Sequence, residues 1–192
     1  MVASRDRARA EDFARKEGVD SAAEGYESVV DSPEIDAVYV ALPNSHHAVW
    51  SQRALEAGKA VLCEKPLCVS AAETDAVLGT AASTGSLLWE SFVFVFQDQH
   101  RRLLELLESG AIGQVRELVG PFHFNLSRSV DIRLSAELAG GALADLGLGH
   151  QRIQTRPGVH IPFLQGIAAV RMLKRDEFDV LLAQAGFIER PE

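Results

Sequence analysis

The chain has 192 residues, enough for one ordinary domain or for a domain and part of a second. At 47% apolar and 24% charged it has the composition of a soluble globular protein. Its net charge of −8, with no stripe of Lys and Arg, argues against a nucleic-acid partner, and no apolar run approaches a membrane span.

Met1 to Arg5 is predicted to be the end of a strand running into a loop, and its charged continuation to Arg15 is unlike a signal peptide. Ala8 to Glu17 has a helical period with Ala10, Phe13 and Ala14 on one face, and Gly18 stops it. Tyr26 to Pro33 reads as a short strand and a helical turn. Ala37 to Leu42 is an apolar run ended by Pro43, a strand expected to be buried on both faces. Pro43-Asn44-Ser45 has loop chemistry, after which Val49, Trp50, Arg53, Ala54 and Ala57 fall at helical spacing and Gly58 supplies a left-handed cap. Val61-Leu62-Cys63 is a second buried strand, stopped by Glu64-Lys65-Pro66. A strand, helix, strand unit of this length implies a parallel pair with a right-handed crossover. The loops around Asn44 and Lys65 then leave the same carboxyl-terminal edge, where open α/β sheets bind ligands.

Ser70 to Thr84 is predicted to be a helix opened by a capping box, Ser70 with Glu73, and closed by Gly85. Leu87 to Glu90 is a strand expected to run on through Ser91 to Gln97, where Phe92, Phe94 and Phe96 alternate. Gln99 to Ser109 is an amphipathic helix with Leu103, Leu104, Leu106 and Leu107 inward, and Val115 to Leu126 a long strand. His46 and His47 are neighbours on a helix, so their rings lie on different faces and do not share a metal; one is expected exposed and the other packed. Cys63 and Cys68 lie five apart with no second pair, which predicts no metal site and reduced thiols, as in a cytoplasmic protein.

Four phrases carry a resemblance: PNSHH, ALEAGKAVLCEKPL, LLESGAIGQVREL and the GGALADLG run from Gly140 to Gly147. From about Val2 to Leu148 the chain resembles the Gfo/Idh/MocA oxidoreductases, NAD(P)-dependent enzymes of sugars, cyclitols and diols. The resemblance implies an α/β fold: a partial Rossmann-type parallel sheet, its first strand and Gly-rich turn absent, then a partial α/β open-sheet domain. Residues 1–91 would be the incomplete dinucleotide-binding domain, 92–150 the start of the substrate domain, and 151–192 an unassigned tail. Lys65 is implied as the catalytic group, donating a hydrogen bond to the reacting oxygen. Cofactor contacts are implied for Ser4, Arg5, Pro43, Asn44, His47, Glu64, Lys65 and Pro66, and substrate contacts for Lys65 and Asp145. Ser4-Arg5 resembles the pair that takes the 2′-phosphate in NADP-preferring members, so NADP is favoured over NAD. The sequence departs from the family where a Tyr or His is expected, because position 149 is Gly149; His150 follows one residue later, rotated by about 100° on a helix.

In family members a strand, a G-x-G-x-x-G turn and a helix, roughly 30 residues, precede the point matching Met1. That turn holds a pyrophosphate at a helix N-terminus, so its absence predicts NADPH binding weaker than about millimolar. A missing central strand exposes two ladder edges and predicts a homo-oligomer or aggregation. Two further readings stand beside the enzyme: a non-catalytic remnant acting as an interaction protein, and a methyltransferase-related fusion suggested by EFDVLLAQAGF in the tail.

Overall fold

The computed structural model describes residues 1–114 and 131–141. The expectations for Val115 to Leu126, Asp145, Gly149, His150 and residues 151–192 lie outside the described residues. The chain divides into two compact units, Met1–Ser91 and Phe92–Glu192.

The first unit alternates strands and helices. Strand β1 (Val2–Ser4) leads into helix α1 (Arg7–Glu17), then β2 (Ala22–Glu24) and the single turn α2 (Glu27–Val30). Strand β3 (Ala37–Val40), helix α3 (Asn44–Glu56), strand β4 (Ala60–Cys63), helix α4 (Ala71–Thr84) and strand β5 (Leu88–Glu90) complete it. All pairings are parallel: β1 with β2 in one sheet, and β3, β4, β5 in that order in another. Among the described residues, β1 and β3 therefore each have one paired neighbour.

Local chemistry sets the helix ends. The Asp6 carboxylate accepts from the Arg9 amide at 2.7 Å and opens α1. The Ser70 hydroxyl accepts from the Glu73 amide at 3.2 Å, while the Glu73 carboxylate reaches the Val69 amide at 3.0 Å, so the expected capping box forms with its return bond one residue early. Gly58 closes the α3 turn at φ 76°, and the Lys59 amide bonds back to the Ala54 carbonyl at 3.0 Å.

The core of this unit is Val30, Val40, Ala54, Leu55, Val61, Cys63, Cys68 and Val77, where α3 and α4 cover one face of the three-stranded sheet. Burial of a side chain such as Leu55 is worth about 1.5–3 kcal/mol. Lys59 is 5% exposed, and its ammonium donates to the Ser32 carbonyl at 2.6 Å and the Ile35 carbonyl at 2.7 Å. It thereby pins the loop that delivers β3 beside β4.

Several expectations need correction. The strand before α2 is Ala22–Glu24, not at Tyr26. Phe13 is exposed, because Ala10 and Ala14 form the buried line of α1. Helix α3 begins at Asn44 rather than after Ser45, and it buries His47, Ser51, Ala54 and Leu55, not the face of Val49 and Arg53. The β3 strand is not buried on both faces: Tyr39 is exposed, and so are its register partners Leu62 on β4 and Trp89 on β5. No described element covers that face.

In the second unit the phenylalanine run is not a strand. Val93–Phe96 coils into a 3₁₀ turn, with Phe92 buried, Phe96 exposed, and Phe94 edge-on to Phe92 and His100. Helix α5 (Asp98–Glu108) follows as expected, and Gly110 ends it at φ 69°. A short 3₁₀ turn at Ile132–Leu134 packs so closely under Gly140 that a Cβ there would lie 2.6 Å from two backbone carbonyl oxygens, which demands glycine.

Candidate coenzyme site at the carboxyl edge of the sheet

Parallel pairing brings three loop starts to one edge: Leu42-Pro43-Asn44 after β3, Glu64-Lys65-Pro66-Leu67 after β4, and Ser91 after β5. The backbone keeps them in step, with the Glu64 amide on the Val40 carbonyl at 2.9 Å and the Ser91 amide on the Cys63 carbonyl at 2.8 Å. Helix α3 starts at this edge, so its first-turn amides present the positive end of the helix dipole there.

Glu64 and Lys65 are half-buried, Pro66 is fully buried, and the Lys65–Pro66 peptide is cis. The Glu64 carboxylate accepts from the Tyr39 hydroxyl at 2.5 Å. That bond, with some burial and the charge of Glu64, pushes the Tyr39 phenol up to about 12. Burial likewise pushes the Cys63 thiol up to about 12 and raises the Cys68 thiol, so both are neutral packing groups near neutral pH.

His47 lies beneath the loops. It is 1% exposed, with Nδ1 at 2.6 Å from the Pro66 carbonyl oxygen and Nε2 at 2.7 Å from that of Leu42. With both ring nitrogens engaged, the ring supports the loops rather than reaching a ligand above them. His46 is half-buried with its Nδ1 at 2.9 Å from the Ser45 hydroxyl. The two rings are apart in role, as their spacing implies.

Ser4 and Arg5 sit at the carboxyl end of β1, in the other sheet; Arg5 is exposed, and the Ser4 hydroxyl accepts from the Asp6 amide at 3.4 Å. The structure thus brings Pro43, Asn44, His47, Glu64, Lys65 and Pro66 to one edge. Two groups there escaped the sequence reading: Tyr39 on Glu64, and Glu90, whose carboxylate accepts from the Leu67 amide at 2.8 Å. A carboxylate ending the apolar strand LLWE was the available signal for Glu90. A depression of about 290 Å³ lies elsewhere, between α2 and the later turns of α3 beside Trp50 and Arg53, and shares no residue with this edge. No cluster of three potential metal ligands occurs among the described residues.

Parallel strands, crossover helices and polar loops at one carboxyl edge define a nucleotide-binding α/β unit of the Rossmann class. Residues 1–92 match the oxidoreductase family with an NAD-binding Rossmann fold, GFO_IDH_MocA, and this part of the chain belongs to that family. Among curated relatives, the dTDP-3,4-didehydro-2,6-dideoxy-α-D-glucose 3-reductase of Saccharopolyspora spinosa is 44% identical over 147 residues, 77% of this chain and 44% of the relative. The crystal structure of KijD10, a 3-ketoreductase from Actinomadura kijaniata in complex with NADP and TDP-benzene, superposes with a TM-score of 0.74 at 39% identity, covering 79% of this chain and 46% of that one. Levoglucosan dehydrogenase in complex with NADH and levoglucosan gives 0.73 at 27% identity, with 79% and 42% covered. The chain spans less than half the length of these relatives.

Proposed function

We propose that this chain carries the coenzyme-binding part of an NADP-preferring oxidoreductase that interconverts a hydroxyl and a carbonyl on a sugar, a nucleotide-linked sugar or a related diol. The observation that carries the reading is Lys65, an ammonium at the carboxyl end of β4, on the edge that Asn44 and the α3 N-terminus share. The donor set suits a dinucleotide: amides at a helix start for phosphate, a half-buried carboxylate and ammonium for ribose and reacting oxygen, and an exposed guanidinium at Arg5 for a 2′-phosphate. A bound nicotinamide would supply or accept the hydride. Lys65 then donates a hydrogen bond to the substrate oxygen and stabilises its alkoxide character. Glu64, held by Tyr39, is placed to accept from a ribose hydroxyl. Asp145 and His150 complete the reading as substrate-side groups, Asp145 as a contact and His150 as a proton donor displaced by one position from Gly149. The family relationship of residues 1–92 and the similarity to reductases of dideoxysugar nucleotides support this choice over a non-catalytic role.

Weak binding is still measurable by amide NMR at millimolar ligand. NADP⁺ is expected to shift the amides of Arg5, Asn44 and Lys65, with a dissociation constant above about 1 mM if no Gly-rich turn completes the site. NAD⁺ should leave Arg5 unmoved, and Arg5→Ala should erase the difference. Unshifted Asn44 and Lys65 amides at saturating NADP⁺ would remove this edge from coenzyme binding.

Among the described residues β1 and β3 each have an edge without a pairing strand, and these edges with the open face of Tyr39, Leu62 and Trp89 also support self-association. Light scattering on a sizing column is expected to report a multiple of 20.8 kDa. A sharp monomer peak would contradict it.

A further inference from the structure

We propose that His47 and Glu90 are positioning residues that clamp the Pro66–Leu67 peptide at both its polar ends and so fix the backbone presenting Lys65. The clamp is one peptide group wide. Its carbonyl oxygen lies 2.6 Å from His47 Nδ1, and its N–H donates to Glu90 Oε1 at 2.8 Å. In a trans peptide these two atoms point in opposite directions. Helix α3 and strand β5 therefore hold the group from opposite sides, and it cannot rotate without breaking one bond. The remaining ring nitrogen, Nε2, ties the same device to the Leu42 carbonyl at the end of the β3 segment. One buried ring thus couples the loop of Asn44 to the loop of Lys65.

Donor counting fixes the chemistry. Both partners of the ring are carbonyl oxygens, which only accept, so both bonds form together only when each nitrogen carries a hydrogen. The Glu90 carboxylate faces the positive N–H end of the peptide dipole, and the protonated ring nitrogen faces its negative C=O end. Each charge-assisted bond polarises the peptide in the sense that strengthens the other. The ionisable neighbours of the Glu90 carboxylate include the Cys63 and Cys68 thiols, which burial keeps neutral, so they do not compete as anions.

This inference rests on the proposed function for the role of Lys65, but the clamp is testable without turnover. In the full 192-residue chain labelled with ¹⁵N-histidine, His47 is expected to show a directly bonded proton on both ring nitrogens at neutral pH. Glu90→Gln keeps an acceptor oxygen but removes the charge, and it should convert His47 to a form with one bare nitrogen while the fold persists. A bare nitrogen on His47 in the unsubstituted chain overturns the clamp, as does a ring that ignores Glu90→Gln. The positioning role is read in turnover: Glu90→Gln and His47→Gln should each lower kcat about tenfold or more while the coenzyme KM stays within a factor of two. Unchanged kcat in both overturns the positioning of Lys65. If the unsubstituted chain shows no turnover, the ring nitrogens together with the shift of the Lys65 amide in Glu90→Gln still decide the clamp, and the proposed function is judged separately by the amide shifts that NADP⁺ causes.

Discussion

Lys65→Met is expected to lower the turnover of NADP-linked sugar or diol oxidoreduction by about a hundredfold or more, the scale on which enzymes lose a positioned acid or oxyanion donor. Methionine preserves an unbranched, half-buried side chain and removes only the ammonium, so the loop that Pro66 and Leu67 anchor should keep its shape. The coenzyme KM should change far less than kcat, because the lost bond goes to the reacting oxygen. Steady-state kinetics of the two proteins on one substrate check this. Equal turnover would take Lys65 out of the mechanism and leave it as a loop residue.

The largest effect on folding is expected from Lys59→Met. The Lys59 ammonium is nearly inaccessible and donates to two carbonyls of the loop before β3, at 2.6 and 2.7 Å. Bonds to a charged donor contribute about 1.5–3 kcal/mol each, and their loss leaves two carbonyls to find water. Methionine recovers part of the packing, so a net loss of about 2–4 kcal/mol is expected, against a domain stability of about 5–15 kcal/mol. The loop also carries the Asp36 carbonyl that accepts from Ala60 at the first rung between β3 and β4, so the damage should reach the sheet. Urea unfolding followed by circular dichroism measures it. A change below about 0.5 kcal/mol, within the range of surface substitutions, would show that the loop holds without the ammonium.

The β3, α3, β4 unit and its two loops were legible because each signal was local: an apolar run, a helical period, Gly58 and the Pro at each loop. The same locality explains the misreading of the α3 face. Val49 is more hydrophobic than His47 and Ser51, and Trp50 offers far more apolar surface, yet His47 and Ser51 are buried. His47 is held by carbonyls from two other segments, and the small Ser51 lies against the Cys63 thiol, where it offsets part of the upward push of burial. Neither contact leaves a mark in the periodicity. Tyr39 and Leu62 failed in the opposite sense: their alternation was masked by apolar neighbours, so an open face read as a closed one. The Phe92, Phe94, Phe96 alternation suited a strand, but ring contacts with one another and with His100 hold a 3₁₀ turn instead. Glu90 became visible as part of the site only when parallel pairing set β5 beside β4, a contact across 23 residues of sequence.

The open face of the sheet also gives the molecule its own optics. The chain has two tryptophans, and they occupy opposite settings. Trp50 is half-buried on α3, edge-on to Tyr26 at 5.1 Å with the Arg53 guanidinium 4.8 Å from its ring centre. Trp89 stands on β5 with 53% of its surface in water, in register with Leu62 and Tyr39. Red-edge emission open to iodide quenching therefore belongs to Trp89, and the shielded component to Trp50. Whatever seats itself on that sheet face announces its arrival as a blue shift of the Trp89 light, with no dye attached.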